Sequence, residues 1–147
     1  MGATETTETE EVQVVEETEK ITCNFDNEIA CKIFEKGIEK GLTREQAVLV
    51  VAISAHETGW WKSDLFKNSN NFGGLCGSKG FYSYDTFEEG LEAMVNLLQN
   101  GYFGKGLDTI EKIGAKYCPV GAENDPKGLN QYWVSGVTSI YNSLLAK

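Results

Sequence analysis

The sequence predicts a mainly α-helical domain with one long loop and at most a short β-hairpin. Apolar residues recur at helical spacing in five segments. Two of these segments begin at a threonine that is followed three residues later by Gln or Glu, the capping-box pattern. Residues 58–85 between the second and third segments are rich in Gly and Asn, which favour turns, and only residues 81–84 within them favour a strand.

The first two predicted helices precede this loop. The first is expected to run from about Asp26 to Lys40, because its apolar residues keep helical spacing and Gly41 is a natural stop. The second begins at Thr43, with Gln46 in the capping-box position. Since this second helix is apolar nearly all round, we expect it to be the buried centre of the domain.

Three further helices are predicted after the loop. The third is capped by Thr86 and ends at Gly101, and it is apolar on one face. The fourth runs from about Asp108 to Pro119, which cannot continue a helix, and the last begins at Asn130.

The first twenty residues differ in composition from the rest of the 147-residue chain. They hold seven Glu and one Lys, a net charge of −6, and few apolar residues. Such a segment buries too little surface to offset its chain entropy. We therefore expect residues 1–22 to be a disordered acidic leader or linker, with an added strand at 12–15 as the alternative, and residues 23–147 to form a single domain.

Charge and hydropathy exclude two classes of partner. Beyond residue 20 the chain has 12 basic and 15 acidic residues, a net charge of only −3, without the clustered Lys and Arg that nucleic acid binding needs. No stretch approaches the roughly 18–20 apolar residues of a membrane span. The start of the chain has neither the basic residues nor the apolar run of a signal peptide.

The four cysteines and the single histidine do not indicate a metal site. Cys23, Cys31, Cys76 and Cys118 form no CxxC pair, so they predict either disulfides, in one of three pairings, or buried thiols. His56 precedes Glu57 as in zinc proteases, but Trp60 stands where that motif requires a second histidine. We expect no metal and no organic cofactor.

The central motif places an acid at the end of the apolar second helix. Glu57 is followed at once by Gly59, Trp60 and Trp61, and soon by the Asn70–Gly74 loop. The negative end of the helix dipole and apolar surroundings both raise the pKa of a carboxyl group. A raised-pKa acid beside aromatic rings is suited to donating a proton to a sugar oxygen, so Glu57 is the candidate general acid.

These motifs resemble those of a known family. Ala-His-Glu-Thr-Gly-Trp at 55–60, Lys-Ser at 62–63, Asn-Asn-Phe-Gly-Gly at 70–74 and the segment 81–90 occur in the order and spacing of the bacterial glucosaminidase domain, glycoside hydrolase family 73 of the lysozyme-like superfamily. The resemblance covers about residues 25–147. It implies a lysozyme-like α-helical domain, in which the long loop is the active-site loop.

The resemblance also implies a function. Members of the family are endo-β-N-acetylglucosaminidases that cleave peptidoglycan glycan strands between N-acetylglucosamine and N-acetylmuramic acid. Glu57 takes the position of the general acid, and Tyr117 matches a tyrosine near that acid, so both are predicted catalytic residues. Predicted substrate-binding residues are Trp60, Asn71, Phe72, Gly73, Tyr82 and Tyr84. For Asn71 and Phe72 the alternatives are loop geometry and an anchor in the core, and for the tyrosines core packing.

One departure from the family leaves the mechanism open. Many members carry a second acid in a hairpin lobe after the Asn-Asn motif, whereas residues 75–80 are short and contain no acid here. The second carboxylate is then Asp64 or Asp85, or it is absent. The alternatives to hydrolysis are therefore a lytic transglycosylase on the same substrate and an inactive glycan-binding module. We expect a monomer that acts outside the cell, at the cell wall or with a virion.

Overall fold

The computed structural model describes residues 21–118 and 131–147. Within these ranges it is mainly helical, with one two-stranded antiparallel hairpin, which confirms the predicted fold class. The elements in chain order are α1 (Glu28–Glu39), α2 (Arg44–Thr58), α3 (Asp64–Ser69), β1 (Cys76–Gly77), β2 (Gly80–Phe81), α4 (Phe87–Gly101), a short 3-10 helix (Phe103–Lys105), α5 (Ile110–Tyr117) and α6 (Gln131–Leu145).

Helix α2 is the centre of the domain, as its apolar sequence predicts. Every residue from Ala47 to Ala55 is buried. The helix packs most extensively against α6 and α1 and also against α4. Its start is the predicted capping box, in which Thr43 and Gln46 exchange side-chain-to-backbone hydrogen bonds. The last turn of α2 is therefore held in place by packing on several sides.

Capping residues set the starts of the other helices. Asn27 accepts a hydrogen bond from the Ala30 amide at the start of α1, and Thr86 accepts one from the Glu89 amide at the start of α4. Helix α5 begins two residues later than expected, because Thr109, not Asp108, is its cap.

The stretch 58–85 is not a continuous loop. Ser63 accepts a hydrogen bond from the Phe66 amide and starts α3, so Asp64 is the first residue of a helix and not a turn residue. The strand expected at 81–84 is shorter and lies earlier, at Gly80–Phe81, where it pairs with Cys76–Gly77. The rest of the stretch is irregular.

One disulfide joins Cys23 to Cys31 and ties the segment before α1 to that helix. Cys76 is an exposed thiol on the hairpin. Among residues 21–118 and 131–147, no helix combines the length and hydrophobicity needed to cross a bilayer. The predicted acidic leader up to residue 20, and Pro119 and Asn130 as helix ends, lie outside the described residues.

Candidate active site

The chain turns sharply directly after the last turn of α2. Gly59, Trp60 and Trp61 all have left-handed backbone conformations, with φ of 58°, 60° and 63°. Glycine adopts this conformation without cost, whereas for tryptophan it costs about 1–2 kcal/mol. The turn sends the two adjacent rings in different directions, since Trp61 is buried and Trp60 is 43% exposed.

Hydrogen bonds to Trp61 offset this backbone strain. Its amide donates to the Thr58 hydroxyl at 2.8 Å, and its indole N–H donates to the Ser54 hydroxyl at 2.9 Å. Ser54 in turn donates to the carbonyl oxygen of Phe72 at 2.6 Å. Trp61 therefore anchors the turn to α2, while Trp60 stays at the surface.

Glu57 lies in the last turn of α2, partly buried, with its carboxyl group against α6. The indole N–H of Trp133 donates a hydrogen bond to Glu57 Oε1 at 2.8 Å. Burial raises the pKa of Glu57 above its ordinary value, and the Trp133 hydrogen bond opposes part of that rise because it favours the charged form. The pKa of Glu57 is thus shifted upward, the direction that favours a proton donor.

Trp133 is itself fixed by its neighbours. Its ring stacks on that of Tyr117, with centroids 5.6 Å apart, and meets the His56 ring edge-on at 6.2 Å. His56 lies close against Gly136 of α6, where an added Cβ would come within 2.6 Å of its Cε1 atom. Burial lowers the pKa of His56, so its imidazole is neutral at pH 7. His56 therefore packs α2 against α6.

Tyr117, at the end of α5, holds the loop that faces Glu57. Its hydroxyl donates to the carbonyl oxygen of Gly73 at 2.6 Å. Burial, and then the nearby Glu57, raise the pKa of Tyr117 well above its ordinary value, so the phenol keeps its proton. Gly73 has no room for a side chain, because an added Cβ would lie 2.5 Å from both the Tyr117 hydroxyl and Met94 Sδ.

Gly74 brings the loop backbone next to the acid. Its φ is 65°, and an added Cβ would lie 3.5 Å from Glu57 Oε2. A side chain at position 74 would therefore contact Glu57 Oε2. The left-handed backbone conformation is a second reason for glycine at this position. The structure brings together Glu57, Tyr117 and Gly73 of the predicted site and places Gly74 beside them.

Two of the predicted substrate-binding side chains, those of Asn71 and Phe72, are fully buried. Asn71 is fully buried: its amide nitrogen donates to the carbonyl oxygens of Leu75 and Tyr82, and its Oδ1 accepts from the Gly73 and Leu75 amides. Phe72 is also fully buried and packs edge-to-face against Phe66 and Phe87. In this structure Asn71 folds the loop and Phe72 anchors it, which are the alternatives given by the sequence.

A comparison with known families identifies the family to which this chain belongs. The sequence profile of the glucosaminidase family, described as mannosyl-glycoprotein endo-β-N-acetylglucosaminidase, matches residues 40–145, more than two thirds of the chain. The chain belongs to the glucosaminidase family. A search of curated proteins gave no match. At the family level, this glucosaminidase domain is a glycan hydrolase whose substrate class is peptidoglycan.

Exposed aromatic rings of the glucosaminidase domain lie on the hairpin, at the turn after α2 and at the start of α6, where Tyr132 is 62% exposed. Tyr82 is 50% exposed, and Trp60 nearly as much. The Tyr82 ring lies over Gly77 and close to Tyr84, which is only partly exposed. Phe81, 65% exposed on the hairpin, was missed from the sequence because its spacing gives no sign of which strand residues face solvent.

Two other features of the glucosaminidase site bear on the sequence predictions. Trp133 contacts the acid but is not among the site residues predicted from the sequence. Asp64 and Asp85, the proposed second acids, are both exposed, and neither forms a hydrogen bond or ion pair with Glu57 in the part of the chain that the structure describes. Within those same ranges, no group of three or more His, Cys, Asp or Glu residues could hold a metal ion.

Proposed function

We propose that this domain is a peptidoglycan hydrolase of the endo-β-N-acetylglucosaminidase type, with Glu57 as its general acid. The observation that carries the proposal is the Glu57 carboxyl group, partly buried and held by Trp133 beside the Gly73–Gly74 backbone. Family membership supports the glycan substrate, and the raised pKa of Glu57 supports its role as a proton donor.

The proposed chemistry begins with proton transfer from Glu57 to the oxygen that bridges two amino sugars. The bond from C1 of N-acetylglucosamine to that oxygen breaks, and the bonding electron pair remains on the oxygen. Glu57 is left as a carboxylate. Water supplies the hydroxyl group that C1 gains, and the proton that the water loses restores the acid form of Glu57.

The other site residues have supporting roles in this proposal. Tyr117 and Gly73 fix the loop beside the acid, because the Tyr117 hydroxyl bonds to the Gly73 carbonyl oxygen. The exposed rings of Trp60 and Tyr82 provide flat surfaces on which sugar rings can stack. The proposed place of action is outside the cell, at the cell wall or with a virion, and the Cys23–Cys31 disulfide supports an oxidising environment.

The test is the digestion of purified cell walls by the wild-type domain and by Glu57→Gln. Loss of a positioned general acid lowers the rate by about 10²–10⁴-fold, so the variant should be nearly inactive. Glu45→Gln, the same change at an exposed position near the start of α2, is the matched control and should keep the wild-type rate. A Glu57→Gln variant with most of the wild-type rate excludes Glu57 as the acid.

Mass spectrometry of the products separates the related activities. New reducing ends on N-acetylglucosamine support the proposal. Anhydro-muramic ends overturn it in favour of a lytic transglycosylase, and tight binding without cleavage at any pH overturns it in favour of a binding module. Asp64→Asn and Asp85→Asn, assayed separately, test the two candidates for a second carboxylate.

A further inference from the structure

The hydrogen bond between Trp133 and Glu57 distinguishes the two oxygens of the acid. The indole N–H of Trp133 lies 2.8 Å from Oε1 and not beside Oε2. An indole nitrogen is a donor only and can accept no hydrogen bond. Trp133 is 4% exposed and is packed against the rings of Tyr117 and His56, so its N–H has a fixed direction.

A protonated carboxylic acid has one hydroxyl and one carbonyl oxygen. The carbonyl oxygen of a protonated carboxyl group is a better acceptor than the hydroxyl oxygen, so the indole N–H at Oε1 favours Oε1 as the carbonyl oxygen when Glu57 is protonated. We propose that Trp133 is a positioning residue that keeps the transferable proton of Glu57 on Oε2, the oxygen beside Gly74. This inference rests on the proposed function for its catalytic consequence but not for the hydrogen bond itself.

The surroundings of Oε2 fit this assignment. Among the described residues, Oε2 accepts no hydrogen bond, whereas Oε1 accepts one. The nearest loop residue, Gly74, has no side chain to cover Oε2. In this proposal, the proton on Oε2 lies on the Gly74 side of the acid, where the bridging oxygen of a substrate would accept it.

The titratable groups that interact with Glu57 from neighbouring elements are Tyr102 after α4 and Tyr117 on α5, and His56 precedes Glu57 on α2 itself. Burial raises the pKa of both tyrosines and lowers that of the histidine. All three are therefore mainly uncharged near pH 7, while burial moves the pKa of Glu57 upward from its ordinary value.

Trp133→Phe tests the proposal, because it keeps an aromatic ring and removes the N–H. Without that donor to the charged form, the pKa of Glu57 should rise further. The alkaline limb of the kcat/KM profile against pH should then move to higher pH. The maximal rate should fall roughly 10- to 100-fold, because the transferable proton is no longer kept on Oε2. A merely structural tryptophan would lower the rate without moving this limb.

Trp61→Phe is the matched control. Trp61 is equally buried and also donates its indole N–H, but to Ser54, which keeps its own hydrogen bond to Phe72. This variant should have a lower melting temperature and an unmoved alkaline limb. If Trp133→Phe folds and its limb also stays in place, the proposal is wrong.

A second measurement needs no substrate and leaves Trp133 in place. In ¹⁵N-labelled wild-type protein, the Trp133 indole N–H resonance should shift with pH at the same midpoint as the ¹³C carboxyl resonance of Glu57, and Glu57→Gln should abolish the shift. The Trp61 resonance should not follow that midpoint. If the Trp133 resonance does not shift as Glu57 titrates, the inference is wrong. An active Glu57→Gln variant would overturn the proposed function alone.

Discussion

Tyr117 donates a hydrogen bond of 2.6 Å to the carbonyl oxygen of Gly73, a residue 44 positions earlier in the chain. The same tyrosine ring stacks on Trp133, which in turn bonds to Glu57. One side chain thus sets the distance between the loop on one side of the acid and the helix on the other.

Tyr117→Phe should reduce catalysis through the position of the loop. The variant keeps the ring that stacks on Trp133 and loses the hydroxyl contacts with the Gly73 carbonyl oxygen and, at 4.0 Å, with Met94 Sδ, and the lost bond to Gly73 costs about 1 kcal/mol of stability. We expect kcat to fall roughly tenfold, much less than for Glu57→Gln, with the alkaline limb of the pH profile almost unmoved. Steady-state kinetics on cell walls across pH check this. A loss as large as that of Glu57→Gln would instead assign the phenol a direct part in the reaction.

Glu57→Gln should change how stability depends on pH. Burial raises the folded-state pKa of Glu57 above the unfolded value, so the folded state binds the proton more tightly. The contribution of protonated Glu57 to stability is complete when the pH is below the pKa of Glu57 in the unfolded state, about 4.3. This contribution is lost as the pH rises through the pKa of Glu57 in the folded state.

The neutral amide of the Gln variant does not lose this contribution. The variant should therefore gain stability relative to wild type as pH rises from 4 to 7. Thermal melts of both proteins at the two pH values measure this difference. A constant difference between the two melting temperatures would mean that Glu57 has the same pKa folded and unfolded.

Trp60→Ala should weaken substrate binding without unfolding the domain. The ring is 43% exposed, and one stacking contact contributes about 1 kcal/mol, so we expect KM to rise roughly fivefold. The melting temperature should change little, because exposed substitutions usually stay within about 0.5 kcal/mol. Trp60→Phe, which retains a ring, should restore most of the affinity. An unchanged KM for Trp60→Ala would exclude Trp60 as a substrate-binding residue.

Asn71→Asp should destabilise the loop although the side chain keeps its size. The two carbonyl oxygens that now accept from the amide nitrogen would face a carboxylate oxygen, which cannot donate. Leaving these buried groups without donors should cost about 2–5 kcal/mol, measured by denaturant unfolding. Asn68→Asp, the same change at an exposed position, should stay near wild type. Equal stabilities of the two variants would contradict the role assigned to Asn71.

Local features of the fold could be predicted from the sequence because their causes are local. Apolar spacing identified the long helices, and the Thr43 and Thr86 caps follow from hydrogen bonds between residues three apart. The position of Glu57 at the end of an apolar helix gave the candidate acid. Helix α3 was missed because six residues carry too little periodicity, although Ser63 is a good cap.

Contacts between distant residues could not be predicted in this way. Trp133 is 76 residues from Glu57, and its apolar spacing on α6 is the same whether or not its indole N–H meets an acid. The opposite exposures of Trp60 and Trp61 depend on two left-handed backbone conformations that tryptophan rarely adopts. The burial of Asn71 depends on hydrogen bonds to the returning strand.

The hairpin and the acid are attached to different parts of the molecule. The two-residue strands at Cys76–Gly77 and Gly80–Phe81 join the core through backbone groups bonded to Asn71, whereas Glu57 is fixed by α2 and α6. Residues 76–81 could therefore be lengthened or exchanged to alter which glycan the domain binds, while the pKa of Glu57 stays unchanged. The two properties can be optimised in separate libraries and combined afterwards.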